Sequence, residues 1–369
     1  MKTKIMSLVL IATLAGCGSG GNPFEDEETT TDAGDDTGTD DTTTEGTGID
    51  REGIPPGTTS PSPNESLFRS EAPVEGDGPD TGNGTATGVS YNGADDTFTV
   101  DGIALDGDRP YDRGVAVSSL NGGRFQVYDG PATAIDPVSG DVINQFTYRA
   151  VYGVSRNRVA DAAGAPTTVP TTQFAIVRTG SYIDYGFGGF IYQRDADVTL
   201  PTEGEARFTG QSAGLRDFIG RGGLEYSTAD VEIIIDFSDF NDSANVLGDG
   251  VAGTISNRRV FDLAGNDITA ETAGRISDGL TEIPSAVFSV GPDVLDVNGD
   301  LVGEMTSTFV DDEGNVVSYE TGNYYAIVSG DDPDEIVGVF VVENSLDYEG
   351  ATTRDTSGFI VYRGDPITP

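Results

Sequence analysis

Short apolar runs separated by turn residues dominate the chain beyond residue 88. They include GGRFQVYDG at 122, NQFTYRAVYGV at 144 and DVEIIIDFS at 230, which are rich in β-branched and aromatic residues. No long stretch has the 3.6-residue periodicity of a helix, whereas short runs bounded by Gly, Asn and Asp are typical of strands. The pattern predicts an all-β fold of antiparallel strands joined by tight turns.

The predicted strands carry apolar residues on both faces. Examples are VEIII at 231–235 and GVFVV at 338–342. A porin-type strand would instead alternate lipid-facing apolar residues with polar residues that face the lumen. We therefore expect a closed barrel with a packed interior and a partly covered outer face, which also removes exposed strand edges.

The start of the chain has the layout of a secretory signal. Lys2 and Lys4 precede an apolar run at 5–14, which is shorter than the roughly 20 residues that cross a bilayer. The run ends in LAGC at 14–17, which resembles the bacterial lipobox, and Cys17 is the only cysteine. We predict a signal peptide over 1–16 and a lipid anchor on Cys17. Gly18 follows, and the absence of Asp there favours sorting to the outer membrane.

Residues 17–88 form a low-complexity acidic segment. The stretch DAGDDTGTDDTTTEGTG at 32–48 is typical, with almost no apolar residue to offset the entropy of ordering. We predict a lipidated, disordered linker that acts as a long tether. A second interpretation is an acidic strip that captures a basic partner.

Charge and composition exclude several classes of function. The formal net charge is −42, with 62 acidic residues, 20 basic residues and no histidine. Nucleic-acid binding needs clustered basic charge, and the common hydrolase triads and zinc sites need histidine. We therefore predict no nucleic-acid partner, no cofactor, no metal and no enzymatic activity. The acidic excess is typical of proteins from salty habitats.

Two acidic turns invite a calcium interpretation. Asp296, Asn298 and Asp300 match the first oxygen positions of an EF-hand loop. Leu301 stands where that loop needs glycine, and Ser307 stands where it needs a bidentate glutamate. Because DVNGD at 296 and DEGN at 312 also suit tight turns, we predict hairpin turns here.

A late segment carries a motif of glycines and aromatic residues. Gly322, Tyr324 and Tyr325 precede an acidic turn, and after it come Glu335, Gly338 and Phe340, which we predict to be structural barrel residues. The segment resembles the late-barrel signature of the transferrin-binding protein B family. The stretch from ARFTGQSAGL at 206 to GVAGTISNRR at 250 is similar to a second part of that family's barrel. Ala326 departs from the motif, since the family has glycine there.

The resemblance implies a domain plan and a class of function. It implies a smaller β-rich handle domain at 89–203, followed by an eight-stranded antiparallel β-barrel at 204–369. Relatives in this family are tethered surface receptors for host iron proteins, haem proteins or complement regulators. Transferrin-binding protein B has two such lobes, whereas this sequence has one handle and one barrel, so transferrin binding is not implied.

These expectations combine into one leading hypothesis. We predict a non-enzymatic surface lipoprotein of the outer membrane that captures a protein or small solute for iron or haem acquisition, alongside a TonB-dependent transporter. Its candidate ligand contacts are arginines on an acidic body, namely Arg216, Arg221, Arg258 and Arg259. Pairing of these arginines with Asp217 or Asp262 is the structural alternative. The rival function is a structural or adhesive envelope lipoprotein.

Overall fold

The computed structural model describes most of the chain beyond residue 66. The described residues are 67–71, 86, 88–102, 109–136, 138–181, 188–238, 240–241, 246–247, 250–290 and 294–364. The predicted signal peptide, Cys17 and most of the predicted tether lie outside them. Within this part of the chain, no helix has the length and apolar character needed to cross a membrane.

The handle comprises the described strands before residue 200. They are β1 (Leu67–Ser70), β2 (Gly88–Asn92), β3 (Thr97–Asp101), β4 (Tyr111–Arg113), β5 (Ser119–Leu120), β6 (Phe125–Asp129), β7 (Thr133–Ile135), β8 (Val142–Asn144), β9 (Tyr148–Val154), β10 (Arg158–Ala160), β11 (Pro166–Pro170), β12 (Thr172–Thr179) and β13 (Gly188–Arg194). Nine of them form an antiparallel sheet in the order β1-β13-β12-β9-β6-β4-β3-β2, with β5 beside β6. The β7–β8 and β10–β11 pairs are separate hairpins.

Strand β1 corrects the predicted extent of the tether. Its four residues fall inside 17–88, yet they pair with β13, and Leu67 and Arg69 are buried. The Arg69 guanidinium reaches Asp300 of the barrel at 2.9 Å between Nη2 and Oδ2. A four-residue strand held by such a distant partner leaves almost no local signal in an acidic, low-complexity segment.

The rest of the chain closes into the predicted eight-stranded antiparallel barrel. Its strands, in order around the barrel, are β14 (Glu205–Ile219), β15 (Glu225–Asp236), β18 (Val251–Phe261), β19 (Ala286–Phe288), β20 (Asp300–Val310), β21 (Val316–Ser329), β22 (Glu335–Asn344) and β23 (Thr352–Arg363). A small hairpin, β16 (Phe240–Asn241) and β17 (Val246–Leu247), lies between β15 and β18. The predicted turn at 312 joins β20 to β21, where Gly314 has a φ of 84°.

Successive side chains of the barrel strands point alternately into the barrel and outward, which gives an interior core and a covered outer face. The interior core includes Phe208, Ile233, Phe288, Leu301, Tyr324 and Phe340. Tyr324 of the predicted motif stacks on Phe288 with ring centroids 3.8 Å apart. A Cβ on Gly303 would lie 2.6 Å from the Tyr324 hydroxyl, so glycine makes room for this ring. The motif residues therefore lie on two neighbouring strands of the barrel wall.

The outer face of the barrel packs on the handle sheet through buried residues of five strands, β14, β15, β21, β22 and β23. The shared core includes Phe125, Val151, Phe174, Leu215, Val339 and Ile360. Phe174 lies so close to Gly358 that a Cβ there would be 2.1 Å from the ring. Burial of this core ties handle and barrel together through the hydrophobic effect. The predicted boundary at 203–204 falls between β13 and β14.

One short helix was absent from the prediction. Helix α1 (Thr269–Ile276) packs Ala273 and Ile276 against Val260, Ile283 and Tyr319. Eight residues hold only about two helical turns, which is too short for a clear periodic signal.

Candidate functional site

An open groove lies between the handle and the outer face of the barrel. It consists of two adjoining spaces of about 500 and 470 Å³, and both are lined by Arg156, Tyr362 and Arg363. Each volume lies within the range of small-molecule sites, roughly 300–1,000 Å³. We call this the arginine groove. Its handle side contributes Arg124, Arg156, Asn157, Arg158 and Thr171, and its barrel side contributes Thr209, Gln211, Asp230, Val231, Glu232, Ser256, Ser329, Asp334, Glu335, Tyr362 and Arg363.

The central arginines lie just after β9, with Arg156 in the loop and Arg158 at the start of β10. The backbone N–H of Arg156 donates to the Tyr362 hydroxyl at 3.1 Å, and its guanidinium lies 3.9 Å from the centre of that ring. Arg158 donates from Nη1 to the Asn157 carbonyl at 2.9 Å. Both arginine side chains are exposed. The loop therefore presents two guanidinium groups to the groove while its backbone is fixed to the barrel.

Glu335 of the predicted barrel motif holds this loop in place. Its buried carboxylate accepts from Ser155 Oγ at 2.5 Å and from Asn157 Nδ2 at 3.0 Å, and also from Thr171 Oγ1. Charged acceptors make hydrogen bonds worth more than neutral ones. The motif glutamate therefore connects barrel strand β22 to the handle loop that carries the arginines.

Arg124 extends the groove at its other end. It follows the 3₁₀ turn Asn121–Gly123, where Asn121 has a φ of 49°. The Asn121 side-chain amide donates to the carbonyl of Ser212 on β14 at 2.9 Å. This hydrogen bond fixes the turn to the barrel, so the handle and the barrel together set the position of Arg124 beside the groove.

Most arginines of the described chain form ion pairs, whereas three arginines of the groove do not. At least eleven of the seventeen described arginines lie within 4.0 Å of a carboxylate. Among the described residues, no carboxylate pairs with Arg124, Arg156 or Arg158. Arg363, the fourth arginine of the groove, pairs with the exposed Asp332.

Three of the four carboxylates that line the groove are already engaged, and the fourth, Asp334, is exposed. Asp230 accepts from Gln211 Nε2 at 3.1 Å and from Asn257 Nδ2 at 2.7 Å. Glu232 pairs with Arg207, and Glu335 is bound by the handle loop. Partial burial raises the pKa of Asp334, and its neighbours Asp332 and Asp331 add to the effect. The guanidinium groups of Arg124, Arg156 and Arg158 therefore keep donors for a ligand, and Asp334 is the carboxylate beside them that makes no side-chain hydrogen bond or ion pair with a described residue.

Two of the predicted ligand contacts lie inside the barrel instead. Arg216 is buried and pairs with Glu225 at 2.5 Å and with Asp347. Arg258 is also buried, and its Nη2 lies 3.0 Å from Glu320. This barrel-end network also includes Asp355, Ser227, Ser357 and Tyr319. The structure therefore places Arg216 and Arg258 in buried ion pairs, and a role of either residue in ligand contact stays a prediction.

The barrel-end network leaves little free space. The cavity among Ser212, Arg216, Arg258 and Asp355 has a volume of about 10 Å³. A site of that size holds about one water molecule. This part of the interior is a structural core and not a ligand pocket.

The other two predicted contacts lie near the surface but in separate places. Arg221 lies 3.7 Å from the ring centre of Tyr348. Arg259 is exposed and pairs with Asp267. Of the predicted partners, Asp217 pairs with Arg354 and Asp262 bonds within its own turn. A groove of about 560 Å³ beside α1 contains both Arg258 and Arg259, but its arginines are paired and Glu271 and Glu282 add negative charge.

The arginines of the groove were not among the predicted ligand contacts. A signal was present in the sequence, because the 19 residues from 142 to 160 contain three arginines and no acidic residue. In a chain with 62 acidic residues, such a gap marks a local excess of positive charge. Arg156 and Arg158 stand at its end.

Comparisons with known proteins give structural neighbours only. No family model matches the chain, and no curated protein matches it. The chain is similar to solved structures of transferrin-binding protein B, whose family the barrel motif resembles. For a double mutant from Haemophilus parasuis the identity is 10%, with 76% of this chain and 45% of that chain covered and a TM-score of 0.33. For the isotype 1 protein from serogroup B Neisseria meningitidis the identity is 12%, with 59% of this chain and 33% of that chain covered and a TM-score of 0.28. The chain spans less than half the length of either structure.

Proposed function

We propose that this chain is a non-enzymatic capture lipoprotein that binds its ligand in the arginine groove. In this proposal Cys17 carries the lipid anchor in the outer membrane, and the tether presents handle and barrel at the cell surface. The proposed partner is a TonB-dependent transporter, with iron or haem acquisition as the setting. Transferrin itself is not proposed as the ligand.

One observation carries the proposal. Arg124, Arg156 and Arg158 have no carboxylate partner among the described residues and converge on a ligand-sized recess in a chain of net charge −42. Exposed guanidinium groups without a carboxylate partner keep their planar donors available to an anionic ligand, which favours a role in binding. A recess with converging polar groups also favours capture over adhesion through flat charged faces.

Protease shaving of intact cells tests the display of the chain. We expect peptides from the barrel to be released while a periplasmic control protein stays intact. Protection of the barrel peptides would contradict surface display.

Photo-crosslinking tests the site. A photo-crosslinking amino acid at position 209, an exposed position of the groove, should yield a ligand adduct on living cells. The same group at position 316, which is 73% exposed at the far end of β21, should not. Equal adducts at both positions, or none at 209, would contradict the groove as the binding site.

A further inference from the structure

We infer that the ligand of the arginine groove is an acidic oligosaccharide. The inference rests on the proposed function and names the chemical class of the ligand. Three features of the groove carry it: the order of its arginines, the polarity of its lining and its length.

The arginines occupy successive positions along the groove. Arg124 lines only the first space, Arg156 lines both, and Arg158 lines only the second. Each guanidinium offers several donors in a planar fork that suits carboxylate, sulfate or phosphate. A ligand with one anionic group would use one of these positions. Three successive guanidinium positions match a polymer that carries an anionic group on successive units.

The lining favours a carbohydrate over a protein segment. Five neutral polar side chains line the groove, namely Asn157, Thr171, Thr209, Gln211 and Ser256, together with the carboxylates Asp230, Glu232, Asp334 and Glu335. Val231 is the only aliphatic side chain that lines either space, and Tyr362 already has Arg156 over its ring. Protein interfaces are built around apolar and aromatic anchors at their centre. Hydroxyl and amide groups instead suit the hydroxyl groups of a sugar.

The length of the groove sets the size of the ligand. Two spaces of about 500 and 470 Å³ meet at Arg156, Tyr362 and Arg363 and are open to solvent. A monosaccharide would fill part of one space. An oligosaccharide spans both and brings successive anionic groups to the three arginines.

Isothermal titration of the full chain with four defined probes tests this inference. A galacturonic acid hexamer and a chondroitin sulfate hexasaccharide supply carboxylate alone or carboxylate with sulfate. Maltohexaose supplies a neutral sugar chain, and hexaglutamate supplies an acidic peptide. We expect at least one acidic sugar to bind and both controls to fail, and we expect the affinity to fall as salt screens the arginines.

Matched variants locate the binding. The double variant Arg156→Gln with Arg158→Gln should weaken binding of the acidic sugar by at least about tenfold, since it removes two charge-assisted contacts. Arg109→Gln should leave binding unchanged, because Arg109 is equally exposed but lies outside the groove.

The outcomes distinguish a failure of this inference from a failure of the proposed function, which is ligand capture in the arginine groove. The assignment of an acidic oligosaccharide would be wrong if neither acidic sugar binds or if hexaglutamate binds equally well. It would also be wrong if the double variant binds the acidic sugar as tightly as the wild type. A crosslinked adduct at position 209 that proves to be a protein would overturn it too, yet would leave capture in the groove supported. Loss of the adduct itself would overturn the proposed function.

Discussion

The same residue type has opposite roles in two regions of this molecule. At the end of the barrel, Arg216 and Arg258 are buried among four carboxylates, namely Glu225, Glu320, Asp347 and Asp355. In the arginine groove, Arg156 and Arg158 are exposed and have no carboxylate partner among the described residues. A charged group in the interior has to be paired, whereas one at the surface has water as a partner. Burial and pairing therefore identify the arginines available to a ligand.

The largest expected effect comes from breaking the barrel-end network. Arg216→Leu leaves Glu225 and Asp347 buried without their cation, so we expect a loss of about 3–5 kcal/mol in the free energy of unfolding. Denaturant unfolding measures the change. Arg259→Leu is the matched control, because its exposed pair with Asp267 is worth at most about 1 kcal/mol. Equal losses for both variants would contradict the assignment of Arg216 to a structural network.

Weakening the contact between the handle loop and the barrel should have an intermediate effect on stability. Glu335→Gln keeps the shape of the side chain but replaces one acceptor oxygen with a donor, so at least one bond to Ser155, Asn157 or Thr171 is lost. We expect a loss of about 1–3 kcal/mol in unfolding free energy and faster amide exchange at 155–158. Glu304→Gln, on an exposed position of β20, should change neither quantity. Unaltered exchange at 155–158 would show that Glu335 does not hold the loop.

A pH series sharpens the description of the network. Burial raises the pKa of Glu320 above its ordinary value of 4.5, although Arg258 opposes the change. The folded state therefore holds this proton more tightly than the unfolded state, and stability falls as pH rises from about 4.5 through the folded pKa. The variant Glu320→Gln has an amide at this position, which does not ionise.

The stability of Glu320→Gln relative to the wild type should accordingly rise across that pH window and then level off above the folded pKa. The slope within the window should not exceed about 1.4 kcal/mol per pH unit, which is the free energy of one proton bound in one state and not in the other. Denaturant unfolding from pH 4 to pH 8, a range of about four units that brackets the ordinary carboxyl pKa, measures it. A relative stability that falls with pH would mean that the ion pair with Arg258 lowers the pKa instead.

The barrel could be predicted from the sequence because its signals are local. Glycine and aromatic residues of the motif at 322–340 sit on two adjacent strands, where Tyr324 packs inward and Gly338 lies against Ala326. Strand β1 could not be predicted in the same way. It depends on β13 and on Asp300, which are far along the chain, and such contacts leave no periodic pattern in four residues.

The roles of individual arginines were less predictable for a related reason. Arg216 has Asp217 beside it in sequence, but neighbouring residues of a strand point to opposite faces. Arg216 therefore faces the interior and Asp217 faces outward to Arg354. In a chain with an acid at every sixth position or so, sequence neighbours cannot identify the partner. The gap in acidic residues at 142–160 was the better signal.

The smallest expected effect on stability belongs to Arg124. This side chain is exposed and has no ion pair among the described residues, so Arg124→Gln should change the unfolding free energy by no more than about 0.5 kcal/mol. The same variant should still weaken binding of an acidic hexasaccharide several-fold, because one charge-assisted contact is removed. Titration and denaturant unfolding on the same sample distinguish the two regions directly: Arg216→Leu loses stability, whereas Arg124→Gln loses affinity alone. A loss of stability by Arg124→Gln comparable to that of Arg216→Leu would mean that the groove arginine is also structural, and the contrast between the two regions would fail.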